Sequence, residues 1–174
     1  MSSSNLTQVA REIMSPRDIS NLPYVARGIA DEQKGVDYLR NELVKRGNTV
    51  EVQLIGFVLH SECDWIGASP DRIIRVNGEW CLVEVKNWYV TNRQKHLTDL
   101  PYLDKKGNLK HSHGHYYQVQ TALMAVGLKF CYFVVHGAES CFVIVEYDPK
   151  LCEKIITKTK SFHENFLRKQ KVSL

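Results

Sequence analysis

The sequence predicts an α/β fold, a central mixed β-sheet flanked by helices, and three observations carry that expectation. Apolar residues at spacings of three, four and seven mark separated helical stretches, and between them lie short runs rich in β-branched and aromatic residues. The resulting order is helix, strands in a meander, helix, strand pair, helix, a pattern that packs helices onto a sheet. The dipeptide Asn77-Gly78 lies between two apolar runs. It is the strongest short-range mark of a two-residue hairpin, because both turn positions need positive φ.

Each element follows from local chemistry. Residues 1–22 form a polar, weakly periodic N-terminal segment broken at Ser15-Pro16, with a short helix expected around Thr7 to Ile13; residues 23–174 are read as one domain. From Pro23 the spacing of Val25, Ile29, Val36, Leu39 and Leu43 predicts a helix, closed by Gly47. Glu32 lies between Ile29 and Val36, so its head either reaches water at the margin of the apolar stripe or enters a polar pocket. Thr49 to Gln53 and Gly56 to His60 read as one bent strand or two, and the Asn77-Gly78 hairpin follows. The stretch from Thr91 to Ser112 is polar, with Lys95, Lys105, Lys106 and Lys110. A loop of that length is unusual in a compact domain: its lysines either track a phosphate backbone or face solvent.

Gly114 to Val126 is helical, with Tyr116, Val119, Leu123 and Val126 on the apolar face and His115, Gln118 and Ala122 on another. Two strands, Phe130 to Val135 and Cys141 to Tyr147, are joined by a turn containing Gly137. Asp148-Pro149 supplies an N-cap and a first-turn proline for a last helix whose inward residues are Leu151, Ile155, Phe162 and Phe166. That helix is otherwise basic, with Lys154, Lys158, Lys160, Arg168, Lys169 and Lys171.

Composition narrows the class. The 174 residues suit one ordinary domain, and no apolar run approaches the roughly 18 residues needed to cross a bilayer. With no apolar signal core at the start, the expected location is intracellular, cytoplasmic or nuclear. A net charge of +4, from 23 basic and 19 acidic residues, permits a polyanionic partner without requiring one. The five cysteines are scattered and odd in number, which favours reduced, buried thiols.

The candidate site is on the hairpin. If Val76 pairs with Glu79 across the turn, the register sets Asp71 opposite Glu84, with Lys86 on the same face two residues on. Two facing carboxylates destabilise a sheet unless a cation lies between them, and hard oxygen donors suit Mg²⁺. Ions held in this way polarise phosphoryl oxygens and acidify water, and a neighbouring lysine neutralises charge developing in an in-line displacement on a phosphodiester. The alternative is a solvated face, with Asp71 merely opening a turn. The run His111, His113, His115 suggests zinc by its alternation, but Gly114 interrupts it and no fourth ligand has suitable spacing. Neither a nucleophilic-serine elbow nor a phosphate-binding glycine loop occurs.

Four blocks in order complete a pattern: Arg27-Gly28 with Glu32 four residues after the glycine, GASPD ending at Asp71, LVEVK holding Glu84 and Lys86, and HYYQVQ holding Gln118. With these blocks the chain resembles the YqaJ-like viral recombinase family, the lambda exonuclease branch of the PD-(D/E)XK nucleases. The resemblance implies a restriction-endonuclease-like core and a metal-dependent deoxyribonuclease, most simply a 5′–3′ exonuclease of recombination or repair. It implies that Asp71, Glu84 and the Val85 backbone carbonyl hold Mg²⁺, one or two ions with Mn²⁺ as a substitute, and that Glu32 adds a carboxylate. Lys86 and Gln118 would position the attacking water, while Ser69 and Arg93 would bind phosphate. DNA is the implied partner, with a homo-oligomer such as a trimeric ring and a single-strand annealing protein by analogy. An endonuclease or nickase of the same fold, or a non-catalytic DNA-binding module, are the alternatives. Arg72 departs from the family in following the aspartate where glycine is usual, and Asn87-Trp88 replaces a frequent Cys-Pro.

Overall fold

The computed structural model describes residues 3–14, 23–90 and 96–168. Five strands form the central sheet in the order β1 (Val50–Gln53), β4 (Arg72–Val76), β5 (Glu79–Asn87), β6 (Phe130–His136) and β7 (Cys141–Glu146). β5 pairs antiparallel with β4 and parallel with β6, so the sheet is mixed. The antiparallel half follows from a turn: Asn77 and Gly78 take φ of 50° and 93°, the positive values that two-residue hairpins demand. The parallel half needs a crossover, and α3 (Gly114–Val126) lies in that connection. β2 (Val58–Leu59) and β3 (Gly67–Ala68) pair separately as a two-stranded sheet, so Thr49 to Gln53 and Gly56 to His60 hold two strands, β1 and β2, rather than one bent one.

Alternation along β5 divides the core in two. On one face Val36, Leu39 and Leu43 of α2 (Pro23–Lys45) pack on Ile74, Val83, Val85 and Val134. On the other, Val119 and Leu123 of α3 pack on Leu82, Phe133 and Val135. Each such fully buried side chain contributes about 2 kcal/mol of transfer free energy. α2 approaches β5 closely because Gly35 has no side chain: a Cβ there would lie 2.5 Å from Val85 Cγ1 and 3.4 Å from His136 Cβ. Gly47, at φ 83°, follows the end of α2, and Gly127, at φ 77°, caps α3.

Asp148 caps α4 (Pro149–Phe162), accepting a hydrogen bond from Leu151 N at 3.0 Å, and a π-helical turn, His163–Leu167, continues it. Leu151 and Ile155 pack inward as half-buried residues, whereas Cys152 is the buried side chain of this helix. Phe162 and Phe166 stack on each other at 5.5 Å. α1 (Ser3–Met14) is longer than the expected Thr7 to Ile13 and packs against the π-helical turn. Gln120 is fully buried and ties the end of β7 to α4, donating to Glu146 O at 2.7 Å and accepting from Asp148 N at 2.8 Å.

The polar stretch after β5 is not simply a solvated loop. Leu100, Tyr102, Leu103 and Leu109 are buried in the α3-side core, and a bridge between Leu103 and Leu109 closes the Asp104 turn. Lys110 Nζ donates to Pro101 O at 2.8 Å. Arg93 and Lys95, together with Lys169 and Lys171, lie outside the described residues, as do the side chains of Val25 and Ile29. All five thiols are free; Cys63, Cys81, Cys131 and Cys152 are buried and Cys141 is half-buried. Among the described residues, no helix is long and apolar enough to cross a membrane.

Candidate active site

The hairpin register is the one its turn dictates. Val76 faces Glu79, and the ladder ends with Arg72 facing Val83. Asp71 therefore stands one residue beyond the ladder, across from Glu84. In an antiparallel pair, the residues that exchange hydrogen bonds send N–H and C=O to the same side, and these alternate along the strand. Val85 is in phase with Val83, so its backbone points past the end of β4 into the notch where Asp71 lies. Asp71 Oδ2 accepts from Val85 N at 2.6 Å. The same phase carries the Val85 carbonyl to that notch.

Glu84 projects toward α3 and is only 4% exposed. Its Oε1 accepts twice, from Lys86 Nζ at 2.6 Å and from Gln118 Nε2 at 2.5 Å. Lys86 reaches it because residues two apart on a strand share a face, and Gln118 because α3 packs on that face. Burial raises the Glu84 carboxyl to about 7; Lys86 opposes the rise, while Asp71 and Glu32 add to it. Asp71 is raised by burial too, against the Val85 N–H, Lys86 and Arg72. Glu32 is raised by burial and then by Asp71. The three acids thus sense one another's charge.

This donor set suits a hard divalent cation: carboxylate oxygens and a backbone carbonyl, held where negative charge is under-compensated. Among the described residues, no group of three or more histidine, cysteine or acidic side chains is gathered for a metal ion. Asp71 and Glu84 are the acids nearest the notch, and Glu32 is linked to them through charge. α2 carries Glu32 toward them by docking at the end of β5, where Asn87 Nδ2 donates to Gly28 O at 3.1 Å. Ser69 is exposed in the link between β3 and β4. Arg93 lies outside the described residues.

His115 shares its helix face with Gln118 rather than a metal cluster with His111 and His113. Its imidazole is half-buried against Tyr102 and Phe133, at 5.1 Å and 6.1 Å between ring centroids. Burial, and then the charge of Lys86, push it down to about 4, so it stays neutral at physiological pH. His113 instead caps α3, accepting from His115 N at 3.2 Å, and His111 stacks on Tyr116 at 4.2 Å.

These parts define a class: an α/β protein whose mixed sheet carries a carboxylate and lysine centre at the open end of its central hairpin. The chain belongs to the YqaJ-like viral recombinase family, whose domain model matches residues 5–129. Its fold is similar to that of an alkaline exonuclease, LHK-Exo, from Laribacter hongkongensis, with a TM-score of 0.65 and 21% identity over 98% of this chain and 84% of that one. A crystal structure of LHK-Exo in complex with dAMP gives a TM-score of 0.67 and 23% identity over 96% and 80%. At such identity the likeness is one of fold. No curated relative matches the chain.

Proposed function

We propose that this protein is a metal-dependent deoxyribonuclease that hydrolyses DNA phosphodiesters by in-line attack of water, acting as a 5′–3′ exonuclease in recombination or repair. One observation carries the reading: Lys86 and Gln118 converge on a single oxygen of buried Glu84, beside Asp71 and the Val85 backbone. A protein that only bound DNA would gain nothing from buried carboxylates aimed at a phosphate. Family membership and the likeness to an exonuclease crystallised with dAMP support the same chemistry.

Asp71, Glu84 and the Val85 carbonyl are the residues that would hold Mg²⁺, or Mn²⁺ in its place, with Glu32 as a further carboxylate. Bound there, the ion would polarise a phosphoryl oxygen and lower the pKa of water. The chain's own groups do the rest. Lys86, only partly exposed, offers an ammonium to charge that develops on the phosphate. Gln118 presents an amide that orients water by donation without itself titrating. His115 lies three residues before it on α3, neutral and packed against Tyr102 and Phe133.

The test is digestion of linear duplexes with and without a 5′ phosphate, beside covalently closed circles, in Mg²⁺. The expected outcome is loss of the linear substrates, with the circle intact and a Glu84→Ala, Lys86→Ala protein inactive. Cleavage no greater than that of the double variant would sink the proposal, and attack on the circle would replace exonuclease with endonuclease action.

A further inference from the structure

On the face covered by α2, beyond β4, lies a cavity of about 500 Å³ lined by Gln33, Asp37 and Arg40 of α2, by Gln53 and Leu54, and by Arg72. Arg72 follows Asp71 directly, and alternation along β4 turns it toward α2 as it turns Ile74. Its guanidinium donates to the Asp71 carbonyl and, through Nη2, to Gln33 Oε1 at 3.0 Å. Both acceptors are uncharged. The Gln33 amide donates in turn to Asp37 Oδ1 at 2.9 Å. Gln33 is thereby committed in both directions, and among the described residues no carboxylate forms an ion pair with Arg72.

Arg40 lies three residues after Asp37 on the same lining and, among the described residues, has no hydrogen-bond or ion-pair partner. Two guanidinium groups and one carboxylate therefore line the cavity, and planar N–H forks match the oxygens of a phosphate. Leu54, 78% exposed, adds an apolar wall suited to a sugar or base. Arg72 lines the cavity and donates to the Asp71 carbonyl, so the cavity adjoins the acid that precedes it in the chain.

Resting on the nuclease reading, we propose that this cavity is a subsite for an internal phosphodiester of the bound strand, held by Arg40 and Arg72 next to the cleavage centre. The nucleotide chain entering Asp71 and Glu84 continues across the end of β4 toward β1. Arg72 is then a substrate-binding residue of this chain.

The experiment measures binding of a labelled single-stranded oligonucleotide lacking a 5′ phosphate, in EDTA so that nothing is cut, across a range of salt concentrations. Arg40→Gln and Arg72→Gln should each weaken binding about tenfold and reduce the salt slope by about 0.7, the share of one phosphate contact on a single strand. Lys45→Gln removes an equal charge from the same helix, where Lys45 already pairs with Glu42, and should leave the slope unchanged. Thermal melts show that each variant is folded. Unchanged slopes in both arginine variants, or an equal loss in Lys45→Gln, overturn the proposal. So does an Arg40 effect confined to a 5′-phosphorylated strand, which would assign the cavity to a terminal phosphate. Cleavage assays on the same proteins separate the two readings. Active protein without the arginine effect removes only the subsite, whereas Arg40-dependent binding without cleavage removes only the nuclease.

Discussion

Replacing Glu84 with glutamine should stabilise the metal-free protein while abolishing its activity. Glu84 is 4% exposed and its carboxyl is raised from 4.5 to about 7. The folded state therefore binds more protons than the unfolded state between those values, and stability falls as pH rises from 4.5 to 7. At about 1.36 kcal/mol per pKa unit, that difference amounts to roughly 3 kcal/mol of folding free energy lost by pH 8. Glu84→Gln removes the penalty, partly offset because Lys86 loses an ionised partner 2.6 Å away. The net gain at pH 8 should be about 1–3 kcal/mol, or roughly 3–10 °C in Tm for a domain of this size. At pH 4.5 the two proteins should melt much closer together, since Glu84 is then largely protonated. Melting curves in EDTA at both pH values are the assay. A variant no more stable than wild type at pH 8, or a difference independent of pH, would refute the buried-charge argument.

Three further outcomes follow from the same geometry. Mg²⁺ or Mn²⁺ should raise the wild-type Tm at pH 8 and leave Asp71→Asn unmoved; equal shifts in both proteins would remove Asp71 from the ligand set. Lys86→Met should lower kcat by about 10²–10⁴-fold while keeping the Mg²⁺-induced rise in Tm, and a change confined to KM would reassign Lys86 to substrate binding. Gly35→Ala should cost about 1–3 kcal/mol, because its Cβ would lie 2.5 Å from Val85 Cγ1; a melt within 2 °C of wild type would contradict the close docking of α2.

How much of this was legible depends on range. α3 runs over Gly114–Val126, the stretch its periodicity and Gly127 mark, and Asp148 caps the last helix as its pairing with Pro149 predicts. The opposite case is the stretch after β5, which reads as polar while hiding Leu100, Tyr102, Leu103 and Leu109 in the core. Those four residues follow neither a helical nor a strand period, so no local rule exposes them. The separate pairing of β2 with β3 is equally non-local.

The candidate site divides along the same line. Local rules suffice to set Asp71 across from Glu84 and Lys86 on Glu84's side of the strand, because a two-residue turn leaves one register and strand residues alternate. Long-range packing settled the rest: Asp71 caps the Val85 N–H, Gln118 meets Glu84, and Glu32 comes within reach of the charges of Asp71 and Arg72. The meetings with Gln118 and Glu32 depend on two helices docking on opposite faces of β5, one of them admitted by the missing side chain of Gly35. Packing of that kind is set by surfaces distant in sequence, which no local pattern encodes.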